Sequence, residues 1–478
     1  MRLAWFSPMP PVPSGVAACS AELVAALGAQ HQIDVYCDEG PVARASGTGS
    51  AHNFVWRHRL QPYDLTVYQV GNSSHHDYMW PYLFRYPGLT VLHDAHLHHA
   101  RAAALLRTRR AADYRAEFAA NHPDANTDLA ELAVAGFDNH LYYSWPMTRL
   151  VIEASRFTAV HTAPVACALK EEFPRSAVTS LRLAHGTLVT EAQARDSRER
   201  VRRMSGIPGD AIVFGVFGGL TPEKRIPQIL EAIRAILPYA PTAHLLLAGG
   251  PARHYDVHAD VRNRGLETRT TITGYVESDH ELTAHMAACD VSLNLRWPTA
   301  REMSGPWLRA LAAGRPTIIT DLAHLADVPA LDPRTWRITP GSGIRGPGSG
   351  VRGAGSARSN ARPVNDLTGS DPGSRIPDPG SDPPVCVAID ILDEDHSLRL
   401  AMRRLASDPA LRASLGAAGQ RYWEQEHSMA RMLEDYERIL AEAAARPAPQ
   451  VTLPAHLLTD GDVLLREILK DFSVAAAW

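Results

Sequence analysis

Lysine is almost missing from this chain of 478 residues. Of its 48 basic residues only Lys170, Lys224 and Lys470 are lysines. A chain that uses arginine nearly everywhere, yet keeps one amine beside a glycine pair, points to a chemical reason for that amine. Cysteine is also sparse. Cys19, Cys37, Cys167, Cys289 and Cys386 are odd in number and scattered, and no CxxC pair occurs. A disulfide framework and a zinc ribbon are therefore excluded as expectations, and a reduced, cytoplasmic setting fits. No run reaches eighteen apolar residues, so no membrane span is expected. Residues 1–15 carry no long apolar stretch and are broken by Pro8, Pro10, Pro11 and Pro13, which argues against a secretory leader. A formal net charge of −4 gives no reason to expect nucleic acid as a partner.

What is present describes an ordinary globular protein: 45% apolar and 21% charged residues. The length is too great for a single core, so two domains are expected. The first half reads as strand 3–6, helix 16–27 and strand 33–36, with further strands at 65–69, 90–92, 158–161 and 181–184. Residues 100–150 read as helical. The second half opens with a strand at 212–217. Helix 226–237, strand 244–248, strand 271–273 and a helix near 281–288 follow. This alternation predicts an α/β fold with a doubly wound parallel sheet in each half. The bounds expected are 1–187, 188–425 and a helical tail 426–478, with a hinge near 186–191. Between 340 and 384 Gly, Ser, Pro and Arg dominate, which predicts a disordered insert in the second domain. Order returns at 385–391 and continues in helices 397–406, 409–424 and 430–444. One amphipathic helix is expected at 462–472.

The stretch 294–321, NLRWPTAREMSGPWLRALAAGRPTIITD, carries the most information. A strand over 290–295 leads in. Pro306 suits the first turn of a helix over 306–313, Gly314 ends it and Pro316 stops it. A short β-branched strand over 317–320 follows. Glu302 and the amides of Met303, Ser304 and Gly305 thus fall at a helix N-terminus and at the carboxyl end of a strand. There open α/β sheets bind ligands, and helix dipoles favour phosphate. A second stretch, FGGLTPEKRI at 217–226, places Gly218, Gly219, Lys224 and Arg225 between a strand and a helix, again a phosphate geometry.

The first of these stretches resembles the donor-sugar segment of the family 4 retaining glycosyltransferases. Glu302, Gly305, Ala312, Ala313, Gly314, Pro316 and the strand after them match the family pattern, while Ala310 stands where a second Glu is usual. The resemblance implies two Rossmann-like domains facing across a cleft, the GT-B fold, with the C-terminal helices crossing back to the first domain. It implies transfer of a sugar from a nucleoside-diphosphate donor to an acceptor hydroxyl with retention. It also implies assembly of a glycan, exopolysaccharide or glycolipid on a glycan or lipid-linked acceptor, with no metal and no cofactor.

By the same resemblance Lys224 contacts the donor diphosphate. Gly219 replaces the usual Arg, and Arg225 is the candidate to substitute for it. Gly15, after Ser14, matches a turn that lets backbone approach the diphosphate. His93 at the end of the apolar run TVLHD faces the donor sugar, and Asp94 orients His93 or contacts the acceptor. Tyr275 and Val276 lie near the nucleobase. His96, His98 and His99 lack partner ligands at metal-binding spacing, so no metal is assigned to them. The basic stretch 101–118 reads as a solvated helix that could touch an anionic membrane weakly. Ala310 and Gly219 also leave room for another class, a sugar-nucleotide or glycan-binding protein of the same shape with little turnover. A pyridoxal-phosphate glycan phosphorylase would need a Schiff-base lysine, and Lys224 is better explained by phosphate.

Overall fold

The computed structural model describes residues 1–38, 49–137, 141–321, 328–339 and 383–458. The insert expected at 340–384 falls outside these except for its last two residues, and the helix expected at 462–472 falls outside them entirely.

Seven strands form the first sheet: β1 (Arg2–Phe6), β2 (Gln32–Cys37), β3 (Gly49–Ser50), β4 (Leu65–Val70), β5 (Leu89–Leu92), β6 (Phe157–Val160) and β7 (Val178–Ser180). Their order is β3-β2-β1-β4-β5-β6-β7, and every pairing is parallel. Parallel strands joined by crossover helices are covered on both faces, so they read as continuous apolar runs. Leu3, Ala4, Trp5 and Phe6 are all fully buried. On one face Phe6 stacks among Tyr36, Phe54 and Tyr68. On the other, Trp5 lies 5.8 Å from the ring of Tyr436, which comes from the far end of the chain.

Eight strands form the second sheet: β8 (Ile212–Phe217), β9 (Ala243–Ala248), β10 (Thr270–Gly274), β11 (Val291–Asn294), β12 (Thr317–Thr320), β13 (Ala330–Leu331), β14 (Ile338–Thr339) and β15 (Cys386–Ile389). Their order is β10-β9-β8-β11-β12-β15-β13-β14. All pairings are parallel except the last, β13 with β14. Both sheets reverse their winding, between β1 and β4 and between β8 and β11. Those switch points open crevices at the carboxyl ends of the strands.

The strand expected at 181–184 does not form; the sheet ends at β7. Leu181, Leu183 and Ala184 are buried. Leu181 N–H still donates to the Val160 carbonyl of β6 at 2.8 Å, but from Arg182 onward the backbone turns to the C-terminal helices. Arg182 N–H donates to Asp435 at 2.9 Å and Ala184 N–H to the Met432 sulfur at 3.3 Å. His427 Nδ1 meets the Leu183 carbonyl at 2.9 Å. The helix Pro409–Glu426 packs on the helix Gly305–Ala312 at glycines: a Cβ on Gly419 would sit 2.7 Å from Leu311 Cδ2. The helix Met429–Ala444 then lies on the first domain, against β4, β6 and the helix Gly15–Leu27. Its Met432, Tyr436, Ile439 and Leu440 are essentially inaccessible. Burial at about 1.5–3 kcal/mol per large apolar side chain makes this docking a major tie between the two halves.

Candidate active site between the sheets

Lys224 sits in the loop that leaves β8. The chain turns at Gly218, whose φ of +84° suits only glycine without strain. A Cβ there would also lie 3.3 Å from Lys224 Nζ. The amine folds back to donate to the Phe217 carbonyl at 2.5 Å. Enclosure in the cleft and the repulsion of Arg296 bring its pKa down to about 7, against the pull of Glu302. Gly219 is exposed. Arg225 takes the left-handed conformation, with φ +60°, and caps the next helix, Ile226–Ile236. Its guanidinium is committed to Glu394, with Nε 2.7 Å from Oε1 and a second close contact to Oε2. It therefore does not fill the cationic position left open at Gly219.

A different cation stands beside Lys224. Arg296, in the loop leaving β11, pairs through Nε with Glu302 Oε1 at 2.6 Å. The Thr299 hydroxyl donates to Glu302 Oε2 at 2.8 Å. The neighbouring Trp297 N–H donates to the Glu223 carbonyl at 2.8 Å, which ties this loop to the Lys224 turn. Ser304 caps the helix Gly305–Ala312 by accepting from Trp307 N–H. The amides of Gly305 and its neighbours thus begin beside Glu302. Gly305 is required by close approach, since a Cβ would fall 2.8 Å from the His185 ring. Met303 packs against the core shared by the two domains.

From the first domain, the loop after β5 brings Asp94 to the same place. Asn72 N–H donates to Asp94 Oδ2 at 2.7 Å. His96 N–H crosses to the Ala300 carbonyl at 3.1 Å, docking this loop on the one that carries Glu302. Burial, and then the charge of Glu302, push the Asp94 carboxyl up to about 7, against the Asn72 N–H and Arg296. Tyr143 joins the cluster: its phenol is pushed up to about 12 by burial, with Glu223, Glu302 and Asp94 adding to the rise and Arg296 opposing it. Lys224, Arg296 and Glu302 from one domain thus meet Asp94 and Tyr143 from the other.

His93, next to Asp94, is held by both ring nitrogens. Nε2 lies 2.8 Å from the Gln69 carboxamide and Nδ1 lies 3.1 Å from His161 Nε2. Burial and the nearby histidines keep it well below the usual imidazole range, so it is neutral.

The remaining sequence candidates sit further from this cluster or do other work. Gly15 begins the helix after β1, and a Cβ there meets nothing. Tyr275 is 60% exposed after β10, and Val276 beside it is half-buried. Ala310 is fully buried on the inner face of its helix. A carboxylate at 310 would enter the core; from that turn the charged group is Arg309, paired with Asp279 at 2.9 Å. His98 is buried, with Nδ1 on the Trp145 carbonyl and Nε2 on the Tyr114 hydroxyl. No group of three His, Cys, Asp or Glu side chains fit to hold a metal occurs among the described residues. The stretch 101–118 is two helices, His98–Arg107 and Ala111–Asn121, rather than one. Its Leu105, Tyr114 and Phe118 are buried, and Arg101 is buried in an ion pair with Glu117. No helix among the described residues is long and apolar enough to cross a membrane.

Sequence reasoning missed Arg296, Tyr143 and Asn72. Nothing in the local pattern marks them, because their roles arise where the two domains meet.

With this geometry in place, the likenesses to known proteins are informative. Residues 211–337 match the family of Glycosyl transferases group 1, a span that holds Lys224, Arg296 and Glu302. No curated protein matches the chain. Among solved structures, sucrose-phosphate synthase from Thermosynechococcus elongatus superposes with a TM-score of 0.57 at 14% identity, covering 92% of this chain and 99% of that one. HepE from Anabaena, solved with UDP and glucose, gives 0.54 at 13% identity over 92% and 99%. WaaG, a glycosyltransferase of lipopolysaccharide biosynthesis, gives 0.56 at 12% identity over 91% and 99%. At such identities the likeness establishes the GT-B fold.

Proposed function

We propose that this protein is a retaining glycosyltransferase of the family 4 type, which moves a sugar from a nucleoside-diphosphate donor to an acceptor hydroxyl. The observation that carries this reading is the meeting of Lys224, Arg296, Glu302 and a helix N-terminus with Asp94 across one cleft. Breaking a glycosyl–phosphate bond leaves a diphosphate anion. Two cations and the amides at Ser304 and Gly305 stabilise that anion in a preorganised way and without a metal. Glu302, oriented by Arg296 and Thr299, accepts from hydroxyls of the donor sugar. Asp94 accepts from the acceptor hydroxyl. His93 lines the sugar from the first domain. Gly15, Gly218 and Gly219 let backbone approach the diphosphate, and Tyr275 and Val276 flank the base. Departure and attack on the same face, with the leaving phosphate taking the acceptor proton, account for retention with no protein nucleophile.

On this reading residues 1–187 receive the acceptor, residues 188–425 hold the donor, and the chain from 426 returns to the first domain. The acceptor is a glycan or a lipid-linked glycan. Contact of 101–118 with an anionic surface would rest on the exposed Arg107, Arg109, Arg110 and Arg115, of which Arg110 is paired with Asp113 and Arg115 with Glu131, since Leu105, Tyr114 and Phe118 face inward. The second reading, a binding protein with little turnover, rests on Ala310 in the slot of the usual Glu and on Gly219. Arg296 beside Lys224 answers only the second of these, as a cation that can stand in for the one Gly219 lacks.

A panel of nucleotide sugars tests the proposal. The correct donor raises the melting temperature, because it binds only the folded chain. With an acceptor glycan it releases nucleoside diphosphate, and the product keeps the anomeric configuration of the donor by NMR. A panel in which no nucleotide sugar either stabilises or turns over contradicts it.

A further inference from the structure

A line of buried polar groups runs behind the cleft, from the C-terminal helix to the carbonyl of Leu181. The Tyr436 hydroxyl lies 3.1 Å from one end of the Gln69 carboxamide. The other end lies 2.8 Å from His93 Nε2. His93 Nδ1 lies 3.1 Å from His161 Nε2, and His161 Nδ1 lies 3.1 Å from the Leu181 carbonyl. Gln69, His161 and Tyr436 are all essentially inaccessible to solvent. The members are drawn from β4, the end of β5, the end of β6 and the helix Met429–Ala444, so the fold has to be complete before the line exists.

Donor and acceptor roles along it are fixed from one end. The Leu181 carbonyl only accepts, so His161 carries its proton on Nδ1. A neutral imidazole has one N–H, so His161 Nε2 accepts and His93 Nδ1 donates to it. His93 Nε2 is then a bare lone pair. As placed, Gln69 Oε1 faces His93 and Nε2 faces the Tyr436 hydroxyl. A half-turn of the carboxamide exchanges the two ends, and this pattern requires that half-turn, with the NH₂ toward the His93 lone pair and the oxygen toward Tyr436, whose O–H donates. Each of the two imidazoles and the carboxamide then donates to one neighbour in the line and accepts from the other, with Tyr436 as the donor at one end and the Leu181 carbonyl as the acceptor at the other. The reverse direction fails, because it would set a lone pair of His161 against the Leu181 oxygen.

We infer that Gln69, His161 and Tyr436 are positioning residues that hold His93 as the neutral Nδ1–H form with its Nε2 as acceptor, so that the C-terminal helix sets the chemical state of a cleft residue. This rests on the proposed transferase function only for its kinetic consequence. In that setting His93 can accept from a sugar hydroxyl that displaces Gln69, but it can neither donate from Nε2 nor carry charge. The groups around the imidazole are consistent with this. His76 gives its Nδ1 to the Gln69 carbonyl at 2.8 Å; His161, His76 and His185 each disfavour a proton on His93; and Asp94, the adjacent residue, is turned to Asn72.

Two substitutions in the full chain test the inference. Tyr436→Phe keeps the ring against Trp5 but removes the donor that orients Gln69. Gln69→Glu replaces an NH₂ with an oxygen that can only accept, so His93 must gain a proton on Nε2. The readouts are histidine ¹⁵N NMR, with the His93 signal found by its loss in His93→Gln, and steady-state transfer. In the parent, His93 shows a proton on Nδ1, none on Nε2, and no titration between pH 5 and 9. Gln69→Glu is expected to make His93 titrate within that range. Tyr436→Phe is expected to lower kcat roughly tenfold, the size of one lost orienting hydrogen bond, with donor KM within about twofold and the melting temperature close to the parent's. A parent His93 protonated on Nε2 overturns the inference. So does a Tyr436→Phe variant with parent kcat and an unchanged His93 signal. If no nucleotide sugar is turned over at all, the transferase reading fails, and the NMR measurement still decides the relay.

Discussion

Lys224 and Asp94 set opposite demands on pH. Burial brings the Lys224 amine down, and the Asp94 carboxyl up, to about 7. Below that the amine is charged and holds diphosphate; above it the charge is lost and free-enzyme donor affinity falls. Asp94 is a charged acceptor on both oxygens only when ionised, so its contribution rises through the same range. We therefore predict a bell-shaped profile of kcat/KM centred near neutrality, whose acid limb disappears in Asp94→Asn. Lys224→Ala should lower turnover by about 10²–10³-fold, the usual cost of one transition-state donor. Lys224→Arg should also be impaired, because a planar fork does not replace a point charge. Arg296→Met removes the partner of Glu302 as well as a cation. It should weaken donor binding by about 1.5–3 kcal/mol, the worth of a charged hydrogen bond, measurable by calorimetry with the stabilising nucleotide sugar. Of these residues, Lys224, Glu302 and Asp94 were legible in the sequence because glycine, proline and strand-end patterns frame them. Arg296 was not. Two of its electrostatic partners, Asp94 and Tyr143, lie 202 and 153 positions earlier, in the other domain. The relay behind His93 was hidden for the same reason, since Gln69 and Tyr436 are 367 positions apart.

At the scale of elements, short apolar runs bounded by Gly and Pro were read correctly. β8 and β12 form at 212–217 and 317–320 as expected. The error at 181–184 has a physical source. Apolar residues there are buried by the crossing helices, and burial alone does not distinguish a strand from a packed linker. The helix Glu191–Met204 was missed because it is strongly charged, with Val201 and Arg202 its only buried residues. Its capping box at Thr190 and Gln193 was the local signal available. The helix Gly305–Ala312 offers a direct test of orientation. Restoring a carboxylate at Ala310→Glu should not improve donor binding. It should lower the melting temperature sharply or abolish soluble expression, because a fully buried, unpaired carboxylate costs several kcal/mol. Improved donor affinity with unchanged stability would mean that this face of the helix meets the ligand.

At the scale of the whole molecule, buried neutral histidines govern the response to acid. Burial holds His76, His161 and His427 down to about 4, and His98 and His185 to about 3. Between these values and about 6.5 the unfolded chain binds protons that the folded chain refuses, so stability rises with pH across that window and falls on acidification. Asp77 and Asp94, pushed up to about 6 and about 7, act in the opposite sense but are fewer. The melting temperature is therefore expected to drop steadily from pH 6.5 towards 4.5. A flat or rising profile would show that these imidazoles are reached by water.

The central claim is that one cleft, built by both domains, transfers sugar with Glu302 accepting from its hydroxyls. Comparing Glu302→Gln with the parent tests it most directly, using the stabilising nucleotide sugar, an acceptor glycan and the corresponding free nucleoside diphosphate. A helix N-terminus favours a carboxylate by about 0.3–1 kcal/mol even without any catalytic role. A merely structural Glu302 would therefore show a small loss of stability and little loss of activity. The account predicts instead that transfer collapses, because one of the two accepting oxygens becomes an NH₂ that only donates, and the charge that holds Arg296 is lost. Free nucleoside diphosphate, which lacks the sugar, should still bind about as well as it does to the parent. A Gln variant that transfers sugar at the parent rate would contradict the account at its central residue.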